Sequence, residues 1–214
     1  LAGMTHTFAS SYLLGIAFFI LFYSVTSTFL YFQQATIAEA NFPDRASRTA
    51  FFASIDFWVN LLTIGIQLFL TGQLTAWLGV TVMLSVLPLV SAAGFAALAA
   101  APGVGVFVAV QVSRRVSNFA LARPSREVLF TSVAREDRYK AKNFIDTVVY
   151  RGGDQVGAWS YAGLAALGLS LAGIAVVAVP LSAAWLGLGC WLGRRQEGMA
   201  RAAAAAPAPT PLPR

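Results

Sequence analysis

Between Asn143 and Trp159 the chain reads NFIDTVVYRGGDQVGAW, a stretch that sets Arg151 and Asp154 three residues apart among apolar neighbours. The two side chains suit one kind of chemistry. A guanidinium is a planar fork that holds carboxylate or phosphate with two hydrogen bonds, and a carboxyl held among apolar groups can take up and release a proton. Counted from Phe144 at ~1.5 Å per residue, Arg151 lies roughly 10 Å and Asp154 roughly 15 Å along a helix. A charge that deep in a bilayer costs about 2.5–3.5 kcal/mol on the mildest scale, so it marks either a solute pathway or an ion pair between the two. Gly152 and Gly153, between them, permit a local break that bares backbone to a ligand. They equally permit close helix packing through small residues.

Other chemistries are excluded by what is missing. The chain has one histidine, His6, and one cysteine, Cys190. That leaves no Ser-His-Asp triad, no cysteine metal cluster and no internal disulfide. The double glycine lacks the following Lys-Ser/Thr of a phosphate loop, and GLGCWLG near the C-terminus is a packing motif. No enzyme, cofactor or metal is expected.

The elements that must position these residues are membrane helices. Of 214 residues, 57% are hydrophobic and 11% charged, against about 25% charged in a soluble domain. Six runs approach the ~20 residues that cross a bilayer: roughly Phe8–Ala38, Thr49–Leu70, Val80–Ala100, Val104–Ala120, Phe144–Leu167 and Leu171–Leu192. The first is too long for a signal-peptide core and lacks a basic leader. Residues 194–214, rich in alanine and proline without an apolar face, read as a disordered tail. The 121–143 connection, with Val128, Leu129 and Val133 at helical intervals, reads as holding a short amphipathic helix along the membrane face.

Basic residues sort by side. Six lie between the fourth and fifth runs and four in the tail, against Arg45 and Arg48 between the first and second. Positive charge accumulates on the cytoplasmic side, so both termini are expected there, in a bacterial inner membrane. The basic connection needs no nucleic acid. Polar stripes mark four runs. Tyr23, Ser27, Tyr31 and Gln34 follow helical spacing in the first; Asp56, Asn60, Thr63 and Gln67 do so in the second. Gln111, Arg114, Arg115 and Asn118 mark the fourth, and Thr147, Arg151 and Asp154 the fifth. The third and sixth runs carry no charge. The polar four are expected to surround a cavity, with the apolar two behind them.

The layout, three runs and three more with the third of each set least polar, resembles one half of a major facilitator transporter built from inverted three-helix repeats. TGQLTAWLG resembles that superfamily's loop motif at Gly72, Leu74 and Gly79. RPSREVLF followed by YKAKNFID is similar to the DPTKEMAY…KGKAAID stretch of the ATP/ADP carriers of plastids and intracellular bacteria, through Pro124, Ser125, Arg126, Glu127, Lys140, Lys142 and Asp146. Where that family places a lysine tied to nucleotide transport, this chain has Asp154. The resemblance implies an all-α membrane protein of six transmembrane helices over residues 1–193. It implies the C-terminal half of a secondary transporter for a small, anionic, nucleotide-like solute. Its partners would be the lipid bilayer, the solute and a second six-helix half, in the same parent protein or separate. The solute contacts expected are Arg151, Asp154, Arg114, Arg115, Asn118, Asp56, Asn60, Gln67, Tyr31 and Gln34. The alternative is a non-transporting regulatory or assembly module with the same fold.

Overall fold

The computed structural model of the chain describes residues 10–69, 71–133 and 135–205. Among them there is no strand. Eight α-helices follow in order: α1 (Ser11–Asn41), α2 (Arg45–Phe69), α3 (Thr71–Ala100), α4 (Val104–Ser117), α5 (Arg123–Leu129), α6 (Arg135–Phe144), α7 (Tyr150–Ala166) and α8 (Leu171–Ala205). Four segments are long and apolar enough to cross a membrane: Ser11–Asn41, Arg45–Phe69, Trp77–Ala100 and Leu171–Ala205. The protein is thus helical and membrane-like. The fourth and fifth expected runs fall outside that set because π-helical turns divide them. Asn118–Ala122 joins α4 to α5, and Ile145–Val149 joins α6 to α7. What remains as regular helix, 14 residues in α4 and 17 in α7, is shorter than the ~20 that span hydrocarbon.

These joins correct the expected boundaries. The fourth run does not stop at Ala120 but continues helically to Leu129, with Pro124 tolerated in the first turn of α5. The fifth begins at Arg135 rather than Phe144. The connection is therefore helical, but as extensions of its two neighbours instead of a separate surface helix. The tail is corrected too. Residues 194–205 continue α8, because alanine has the highest helix propensity and needs no apolar face to propagate a helix already begun. Residues 206–214 of the expected tail lie outside the described residues.

Two seams hold the bundle. α3 packs along α8, where Gly189 and Gly193 let the helices meet: a Cβ at Gly193 would lie 2.3 Å from the Thr81 backbone. α3 turns at Gly79, whose φ of 73° suits glycine. The Thr81 N–H just beyond that turn donates to Glu197 of α8 at 3.0 Å. α1 packs along α7, and Trp185 of α8 is fully buried against Phe19 and Tyr23 of α1. The Tyr12 hydroxyl donates to the Leu129 carbonyl at 3.0 Å, fastening α1 to the end of α5. α2 is held more loosely, burying only Phe51, Ile55, Val59 and Thr63. Asp44 caps its start, accepting from the Ser47 N–H at 2.8 Å. Hydrogen bonds from the Ser47 side chain and backbone hold the Asp44 carboxyl below the usual carboxylate range.

Candidate functional site

Two polar cavities lie side by side in this bundle. The first, about 520 Å³, is walled by α1, α2, α4 and the π turn after it. The second, about 820 Å³, is walled by α1, both π turns, α5, α6 and α7. They meet at Tyr23, Asn118 and Phe119, which line both. The Asn118 amide donates to the Tyr23 hydroxyl at 3.0 Å, so one hydrogen-bonded pair forms part of the partition. No lining residue of either comes from α3 or α8, as the absence of charge on those two runs leads one to expect.

The first cavity brings together Tyr31, Gln34, Asp56, Arg114, Arg115 and Asn118 from the expected set. Arg115 and Asp56 form an ion pair at 2.5 Å, with 32% and 55% of their side-chain surfaces exposed, and so stand towards the mouth. Arg114 differs: it is 2% exposed. Its Nε donates to Ser91 at 3.0 Å, Nη1 to Ser27 at 3.3 Å, and Nη2 to Thr26 at 2.9 Å and the Tyr23 carbonyl at 3.2 Å. The guanidinium carbon stands 5.3 Å from the Tyr23 ring centroid. Every partner is neutral. Ten residues beyond Val104, it lies ~15 Å along its helix, the depth of the midplane of a ~30 Å core if that helix enters at Val104. Beside it the Gln111 amide nitrogen donates to Gln34 Oε1 at 2.6 Å, while Gln111 Oε1 is buried with no partner among the described residues.

The second cavity holds Arg151 and Asp154, with four basic and three acidic lining residues in all. The ion pair that their spacing allows does not form. Asp154 Oδ1 instead accepts from the Ser24 hydroxyl of α1, and Thr28 Oγ1 lies 3.5 Å from the same oxygen. Arg151 is exposed and makes no ion pair among the described residues. The reason is packing. Gly153 and Gly157 bring α7 so close to α1 that a Cβ on Gly153 would lie 2.7 Å from Ser24 Cβ. Asp154, next along, is drawn to α1, and Arg151 is left facing the cavity. Gly153 is thus a packing device, Gly152 faces open space, and no break occurs at the pair; the irregular turn falls earlier, at Ile145–Val149. Arg126 lies 4.0 Å from Asp146, and Lys142 pairs with Glu127.

Two expected residues stand apart. Asn60 is exposed on α2, one turn past Asp56, and lines neither cavity. Gln67 donates to the Phe119 carbonyl at 3.0 Å, a group in the π turn. It therefore braces α2 against that turn. The solute contacts expected from the sequence omitted Arg123, Arg126 and Lys142, whose charges were read mainly as a topology signal. Their signal was the very stretch that carries the nucleotide-carrier resemblance. No family model, curated protein or solved structure matches the chain.

Proposed function

We propose that the chain is one six-helix half, the C-terminal one, of a secondary membrane transporter that moves a small anionic solute by alternating access. The observation that carries this reading is the meeting of the two polar cavities at Tyr23 and Asn118. Together they set Arg114, Arg115 and Arg151 along one route, with α3 and α8 standing behind. In this reading α4–α5 and α6–α7 are the two further spans, their π turns opening the helices where they line the cavities, as such turns often do at functional sites. The basic residues of α5 and α6 lie on the cytoplasmic side of a bacterial inner membrane, both termini with them. Asp56 and Asp154 are the groups available for proton coupling. Alternating access needs a second bundle rocking against this one, in the same parent protein or as a partner.

A second reading, a regulatory or assembly module, draws support from the Asp56–Arg115, Asp146–Arg126 and Glu127–Lys142 pairs, since polar groups paired among themselves need no solute. Thiol labelling separates the two. In a Cys190→Ser background, Gln34→Cys reports the first cavity and Arg123→Cys the second, each probed from both membrane sides with an impermeant reagent. Transport requires the first cavity to become reachable from each side in turn, with solute shifting the balance. A cavity sealed from both sides under all conditions favours the module.

A further inference from the structure

The first cavity contains two buried groups that lack what their chemistry calls for. Arg114 has no carboxylate partner among the described residues, although a charge held out of water is ordinarily paired. Gln111 has one amide atom without a partner, and this holds whichever way its amide is turned, since only one of its two polar atoms meets Gln34. We infer that the first cavity takes a small organic monoanion with an apolar body and a hydroxyl: the anion docks on Arg114, the hydroxyl meets Gln111. This rests on reading the cavity as a solute site and adds the class of solute.

The donors fix the anion. A guanidinium has five N–H groups, and the contacts of Arg114 use four, leaving one on Nη1. Ser27, which accepts from Nη1, donates to nothing among the described residues, so its O–H is free beside that N–H. Two adjacent donors, one charged, match the two oxygens of one carboxylate. They are too few for a di- or triphosphate. Charge agrees: the lining carries two arginines and one aspartate, and Asp56 is already paired with Arg115, which leaves one positive charge unmatched. A hydroxyl suits Gln111 because it both donates and accepts, and so satisfies either amide atom. Four aromatic rings, Tyr23, Tyr31, Phe52 and Phe119, also line the wall, which fits a flat apolar body. At about 520 Å³ the cavity falls within the range of small-molecule sites.

The test uses the full chain in lipid nanodiscs and four probes: 3-hydroxybenzoate, benzoate, 3-hydroxybenzamide and inorganic phosphate, with binding followed by calorimetry. We expect 3-hydroxybenzoate to bind saturably, the uncharged amide to bind at least about tenfold more weakly, and phosphate not to compete. Gln111→Leu should keep benzoate binding and erase the preference for the hydroxylated acid. Ser27→Ala should weaken both acids alike, and Arg114→Met should abolish both. If Arg114→Met fails to fold, the Ser27 and Gln111 variants still decide. Equal binding of acid and amide, an unchanged hydroxyl preference in Gln111→Leu, or no acid binding at all overturns the inference. Labelling of Gln34→Cys in the same discs keeps the two claims apart. A reactive cysteine protected by a different anion sinks the monoanion and spares the transporter. A cysteine unreactive from both sides sinks both.

Discussion

The two cavities hold arginines under opposite conditions. Arg151 stands exposed in the larger cavity, among other charges and without an ion-pair partner among the described residues, where a guanidinium keeps its hydration and costs the fold little. Arg114 is 2% exposed, held by hydroxyls and a carbonyl without a carboxylate. Burying a charge without a counterion is expensive. Its acceptors do not depend on it either: Ser91 also bonds the Leu87 carbonyl at 2.8 Å and Thr26 the Phe22 carbonyl at 2.7 Å. An exposed cation in a basic vestibule attracts anions from a distance. A buried one is retained against a stability cost, which points to a use that needs it there. The difference teaches that exposure, more than charge alone, separates an arginine suited to steering an anion from one suited to binding it.

The comparison is broken most severely by moving the wall between α1 and α7. Gly153→Leu drives a side chain into Ser24, and the expected loss is on the order of 3 kcal/mol in thermal unfolding. Its neighbour Gly152, with nothing within 4 Å of an added Cβ, should gain up to about 1 kcal/mol as alanine. Two adjacent glycines with opposite responses would establish packing as the reason Asp154 turns to α1; equal responses would refute it. Lys142→Met should be milder, a cost of about 1 kcal/mol at most, because its pair with Glu127 is half-exposed and screened by salt. Unfolding midpoints at low and high ionic strength would show it. Smallest is Arg151→Gln, expected within about 0.5 kcal/mol of the parent in stability. On the proposed transporter reading, the same change should slow anion entry into the complete protein, more so at low salt. A large destabilisation would mean that Arg151 has a structural partner after all.

Much of this arrangement was legible in the sequence, and the failures have physical causes. Helical spacing brought Tyr31, Gln34, Asp56, Arg114 and Arg115 to one cavity because those residues lie on regular helix, and Asn118 joins them as the first residue of the π turn. Asn60 and Gln67 share the stripe of Asp56, yet the cavity reaches only the first turns of α2, and periodicity along one helix says nothing of where its neighbours stop. Arg151 and Asp154 were paired by an i, i+3 rule that ignores neighbouring helices, and a hydroxyl on α1 won the aspartate. The π turns were invisible, since one inserted residue rotates all that follows by roughly 100° without altering composition. Of the six apolar runs read from hydropathy, four are long and apolar enough to cross a membrane, while the ends at Ala120 and Phe144 were misplaced because charged, proline-bearing sequence read as a break. That Arg114 is buried and Arg151 exposed could not be read at all; both are arginines in apolar surroundings.

The central claim is that Arg114 is kept for an anion and not for the fold. Arg114→Met tests it in one preparation, since methionine fills similar space without charge. Replacing buried charge by apolar volume is often neutral or stabilising. The account predicts an unfolding midpoint equal to or above that of the parent chain, together with complete loss of 3-hydroxybenzoate binding. A midpoint several degrees lower with binding intact would contradict it, and would make Arg114 a structural tie between α4 and α1.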